Sequence, residues 1–249
     1  MKYRVRHYTE YDYQDAASAC YNRLCLTPNN SEQQRCVNSE ILITPIPEEI
    51  NYRNDFFGNQ LIFFSLNQDH KKLRININSV VTVDGRPNVD LAFSSMIPWK
   101  DVHQHLTTNG LFDIIQYTLP SAYVPVSDAI KEFSESCFQE DSTLWSACQS
   151  LMKKVYETIE FKPGFTTVNT PVETVIKIKK GVCQDFAHLM IACLRNMGLP
   201  ARYVSGYIET VPPPGKERLV GADASHAWVA VYFPHIGWVE FDPTNNLLP

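Results

Sequence analysis

Apolar and polar positions alternate with a period of two through the first half of the chain. "YRVRHYTEYDY" has the alternation of a half-buried strand, and "SEILITPIP", "GNQLIFFSL" and "KLRININSVVTVDGRP" follow it between turn formers. Several short strands at this spacing predict an antiparallel sandwich. Asp84-Gly85, after the β-branched run at 80–83, predicts a tight turn. The pattern changes at 117–128, "YTLPSAYVPVSD", where two prolines and small polar residues predict a connector. Beyond it the period lengthens. "SDAIKEF" reads as a helix, and "TLWSACQSLMKKVYETIEF" sets Leu144, Ala147, Cys148, Leu151, Met152, Val155 and Ile159 on one helical face. Thr170-Pro171 with Glu173 marks a short helix start. In "GVCQDFAHLMIACLRNMGLPAR", residues 181–202, Cys183, Phe186, Ala187, Met190, Cys193, Leu194 and Met197 share one face, and Gly198 stops the helix. The strands "ARYVSGYIE", "HAWVAVYF" and "WVEFD" close the chain. The expected fold is α+β: an N-terminal antiparallel β-sandwich-like domain over 1–125, then an α+β domain over 126–249.

Composition narrows the function. The 249 residues, 44% apolar and 20% charged, are enough for two modest cores. A net charge of −5 and the lack of a long Lys/Arg run argue against nucleic acid as a partner. No stretch approaches the ~18–20 apolar residues of a membrane helix, and the N-terminus has no apolar signal region. The seven cysteines are odd in number and form no C-x-x-C pair. They predict free thiols in a reducing, cytoplasmic setting, with no metal site of finger or ribbon spacing and no cofactor.

Cys183 lies at the start of the predicted helix, where unpaired N–H groups and the helix dipole favour an anion. A thiolate is the nucleophilic form of cysteine. In "SHAWVAVYF", His226, Trp228, Ala230 and Tyr232 point to one face, and in "GWVEFDP" Trp238, Glu240 and Asp242 share a face. If Tyr232 pairs with Trp238 across the hairpin, His226 is the diagonal neighbour of Asp242, ~7–8 Å between backbones. A thiol, a base and a group that holds the base are what nucleophilic catalysis needs. The plain alternative for Cys183 is a buried inert thiol. Cys193, without a partner, reads as core. His188, about 140° round the helix from the thiol, does not face it. Asp185 complements the dipole, and Gln184 could line the cleft. Either Trp228 or Trp238 could shield the thiol. The segment 209–225 either shapes substrate access or merely connects two strands.

"GVCQDFAHLMIACLRNMGLPARYVSGYI", "SHAWVAVY" and "GWVEFDPTN" together resemble the transglutaminase-like superfamily, in its bacterial branch of cysteine peptidases. "HYTEYDY", "LTP" and "DFFGN" resemble the N-terminal β-domain of that branch. The resemblance implies a papain-like α+β core with Cys183 as nucleophile, His226 as general base and acid, and Asp242 as the orienting group. It also implies further strands beyond Asp242, where this chain ends seven residues on. The implied activity is a peptidase or amidase acting on a protein or peptide through a thioester. The same chemistry with a lysine amine as acceptor would make a cross-linking transglutaminase. No D-x-D-x-D-G calcium loop points that way. A non-catalytic protein-binding module is the rival from another class.

Overall fold

The computed structural model describes residues 1–84, 97–209, 215, 218–222 and 225–249. The chain divides into two compact units, Met1–Pro87 and Asn88–Pro249. The predicted turn at Asp84-Gly85 runs outside the described residues, as does much of the 209–225 segment.

The first unit is β throughout. Its strands are β1 (Lys2–Ala17), β2 (Cys20–Leu24), β3 (Gln34–Thr44), β4 (Ile50–Asn54), β5 (Gln60–Leu66) and β6 (His70–Val83). They form two three-stranded sheets, β1-β6-β3 and β2-β5-β4, antiparallel at every pairing. In β6 the alternation puts Leu73, Ile75 and Ile77 inward, where they join Ile43 of β3 and Phe64 and Leu66 of β5 in one core. The β4–β5 turn is closed by Asp55, whose Oδ1 accepts the N–H groups of Phe57 and Asn59.

The second unit is α+β. Its helices are α1 (Val102–Thr108), α2 (Phe112–Ile115), α3 (Asp128–Glu135), α4 (Leu144–Thr158), α5 (Val172–Ile178) and α6 (Cys183–Asn196). The strands are β7 (Glu160–Phe161), β8 (Lys180–Gly181), β9 (Ala201–Gly206), β10 (His226–Phe233) and β11 (Gly237–Phe241). Thr143 caps α4 by accepting the Ser146 N–H at 3.2 Å, a contact worth ~1 kcal/mol. β9, β10 and β11 form an antiparallel sheet with β10 in the middle.

Two expectations change here. The division falls at 87/88 instead of 125/126, because Val102, Leu106 and Val124 are buried in the core of the second unit. The helix α6 is buried well beyond the predicted face, with Gln184, His188 and Arg195 left part-exposed. Leu189, Ile191 and Ala192, outside the predicted stripe, are as buried as Met190 and Leu194. The reason is that α6 packs on β9 and β10 and also on α3, α4 and α5.

Candidate active site

Cys183 is the first residue of α6, preceded by Val182 in extended conformation. The turn before it is built by its own sequence. Asp185 folds back so that Oδ2 accepts the Val182 N–H at 2.7 Å and the Thr166 hydroxyl at 2.7 Å. Its carboxylate is buried against Gly181, where a Cβ would stand 2.7 Å from Oδ2. The glycine thus leaves the space that the carboxylate fills. The N–H groups of Asp185 and Phe186 both reach Val182 O. Among the described residues, the N–H groups of Cys183 and Gln184 have no acceptor, so they are available to an anion beside the half-exposed thiol.

His226 opens the central strand β10, and Asp242 directly follows β11. The pairing Tyr232↔Trp238, continuing to Val229↔Phe241, is the register the hairpin pattern predicts. His226 Nε2 meets Asp242 Oδ2 at 2.8 Å, and both side chains are fully buried. The Asp242 carboxylate also accepts the N–H groups of Thr244 at 2.9 Å and Asn245 at 3.3 Å. Asp242 Oδ2 takes a further bond from Asn245 Nδ2 at 2.7 Å. Burial alone would lower the His226 pKa. The bond to Asp242 and the proximity of the Cys183 sulfur outweigh it and push the imidazole up to about 9. With Nε2 engaged by Asp242, Nδ1 is the nitrogen left over, buried and without a hydrogen-bond partner among the described residues.

The surroundings of the imidazole are close. The Trp228 ring lies 6.0 Å away at a tilt of 32°, and its buried indole N–H has no partner among the described residues. Trp238 packs instead under the Arg202 guanidinium, 4.2 Å from its ring centroid, and beside Tyr117. Gly221 adopts φ +91°, and a Cβ on it would come 2.3 Å from His226 Nδ1. Next to it, Val220 exchanges hydrogen bonds with the Asn245 amide. Neither Gly221 nor Asn245 stands out in the sequence pattern. The visible signal is an Asn three positions after Asp242 in a Pro-containing turn.

A shallow groove of about 310 Å³ adjoins the start of α6, lined by Tyr123, Val168, Gln184, His188 and Tyr203. His188 does not serve the thiol. It lies between Tyr123, stacked at 5.5 Å, and Tyr203 at 5.2 Å, and burial lowers its pKa. Burial, reinforced by the nearby Cys183 and Asp185 charges, raises the Tyr203 hydroxyl to about 12. Cys193 is in the core, its thiol pushed far up by burial. Among the described residues no group of three His, Cys, Asp or Glu side chains is placed to hold a metal ion. No helix among them is long and apolar enough to cross a membrane.

Residues 131–243 match the transglutaminase-like superfamily, and residues 3–82 match the bacterial transglutaminase-like N-terminal region. An uncharacterized protein of Mycobacterium tuberculosis is 37% identical over 252 residues, covering 99% of this chain and 80% of that one. A protein-glutamine gamma-glutamyltransferase of Pseudomonas aeruginosa is 35% identical over 89 residues, 35% of this chain and 13% of the other. A crystal structure from Cytophaga hutchinsonii, provisionally named a cysteine protease, shares the fold. Its TM-score is 0.75 at 23% identity, covering 100% of this chain and 78% of that one.

Proposed function

This chain belongs to the transglutaminase-like superfamily, and from that premise we propose that it is a thiol amidase or peptidase that forms a thioester on Cys183. The observation that carries the reading is the buried 2.8 Å contact between His226 and Asp242 beside a cysteine at a helix N-terminus. The raised basicity of His226, up to about 9, suits a group that takes and returns a proton beside that sulfur.

The steps follow from the atoms. The Cys183 sulfur bonds to the amide carbon, and the carbonyl oxygen becomes an oxyanion facing the free N–H groups of Cys183 and Gln184. Collapse breaks the C–N bond, and the leaving amine takes the proton from His226 Nδ1. Water then bonds to the acyl carbon and gives a proton to Nδ1, the C–S bond breaks, and the acid departs. Asp242 keeps the imidazole in one tautomer and faces the charge on it throughout. Tyr203, Tyr123 and His188 would line the path of the acyl donor.

Water is the acceptor we favour, because the described residues lining the groove include no carboxylate to hold a lysine ammonium. Amine transfer is the second reading, and the local identity to the Pseudomonas transferase favours it. One glutamine-containing peptide separates the two: ammonia release without capture of a labelled primary amine supports hydrolysis, and predominant capture supports transfer. The nucleophile is tested by iodoacetamide labelling of Cys183 from pH 5 to 9 in the wild type and in His226→Ala. A plateau reached well below pH 8 and lost in the variant is expected. Identical curves would remove the catalytic reading and leave a binding module.

A further inference from the structure

The Asn245 side chain is bonded on every polar side. Its Oδ1 accepts the Val220 N–H at 2.9 Å, and its Nδ2 donates to Val220 O at 3.1 Å and to Asp242 Oδ2 at 2.7 Å. Nδ2 also lies 3.5 Å from His226 Nε2. Only one orientation of the amide fits. Turned over, it would set Oδ1 against a carboxylate and Nδ2 against an N–H. The carboxylate of an aspartate would meet the same repulsion, and a glutamine is one methylene too long.

The two bonds to Val220 fix the residue before Gly221, and Gly221 packs so close to the imidazole that a Cβ there would stand 2.3 Å from Nδ1. The imidazole is therefore bonded by Asp242 at Nε2, while Gly221 lies so close on the Nδ1 side that no side chain fits between. One amide reaches both supports. Asn245 lies beyond residue 243, where the match to the superfamily core ends.

We propose that Asn245 is a positioning residue for the Cys183–His226–Asp242 chemistry, holding the Asp242 carboxylate on the imidazole and docking the 218–222 segment so that Gly221 closes on the ring. The role rests on the thioester reading above. Asn245 touches no reacting atom. It acts by fixing which way the imidazole faces and by excluding other ring orientations.

The experiment follows alkylation of Cys183 by mass spectrometry from pH 5 to 9 in the wild type, His226→Ala, Asn245→Ala and Asn245→Asp. Asn245→Asp keeps the volume and the acceptor for the Val220 N–H but places an oxygen against both Val220 O and Asp242 Oδ2. It therefore retains one contact to the 218–222 segment, which Asn245→Ala loses, and turns the contact to the carboxylate into a repulsion. The labelling rate at pH 7 should fall about tenfold in Asn245→Ala, the effect of losing one hydrogen bond to a charged group, and further in Asn245→Asp. The pH profile should move toward that of His226→Ala. Melting temperatures establish that the variants are folded. Asn245→Ser, which keeps a short donor, replaces either one that is not. Folded variants whose profiles overlay the wild type, with His226→Ala distinct, overturn the positioning role alone. A wild type that matches His226→Ala overturns the thioester reading and the role of Asn245 with it.

Discussion

At Asp242, the change to asparagine keeps the shape and removes the charge. The His226 imidazole should then return from about 9 toward its ordinary value near 6.5, read by NMR titration of the ring. On the proposed mechanism, amide hydrolysis should fall by ~100-fold or more, since His226 would lose the group that orients it. An imidazole that titrates unchanged in Asp242→Asn would show that the buried pair does not set its basicity. A second expectation concerns Cys148 and Cys193. Burial raises both thiols far above the ordinary range, so neither should label at pH 7 in the folded protein. Cys183, His226 and Asp242 were legible as candidates because helix and strand periodicity place them with only one register assumed. Asn245 and Gly221 were not, because their roles depend on a loop and a turn brought together across the fold. No local pattern encodes that contact.

The elements around Cys183 carry their own test. Gly181→Ala would drive a methyl group into the Asp185 carboxylate, 2.7 Å away. The strain should cost ~1–3 kcal/mol, seen as a lower melting temperature, and should also disturb the start of α6. Thr166→Val, which removes only the 2.7 Å bond to Asp185, should cost less, ~1 kcal/mol. A Gly181→Ala melting temperature equal to the wild type would mean that the turn tolerates rearrangement. Along the groove, His188→Ala should raise KM for a peptide amide more than it lowers kcat, because the ring lines the groove and no reacting atom meets it. The helix itself shows where a one-face reading stops. A stripe at i, i+3, i+4 reports that one side is buried, but Leu189, Ile191 and Ala192 lie off it, and only the packing of α3, α4 and α5 shows that they are core.

Across the whole molecule, the histidines give stability two edges on the pH scale. The folded His226 pKa, about 9, is above its ordinary 6.5. The folded state therefore binds that proton more tightly, and the contribution is complete below pH 6.5 and lost as pH rises through 9. His188 and His7 have lowered values through burial, so their contribution is present above pH 6.5 and lost on acidification. Urea midpoints should fall between pH 6.5 and 9 in the wild type and fall less in His226→Ala. Equal slopes in the two would remove His226 from the alkaline edge. The division at 87/88 shows the same contrast of scales. A change of period and a Pro-rich stretch mark where the secondary structure changes, whereas a boundary is set by which core the side chains enter. Val102 and Leu106 enter the second.

Cys183 heads the most enclosed helix among the described residues, and His226 opens the central strand on which that helix packs. The pair therefore exists only once the two have docked. Brief pulses of iodoacetamide during refolding would time that docking directly: the moment Cys183 acquires its His226-dependent reactivity is the moment the core has formed, so the chemistry of the site is also a clock for folding.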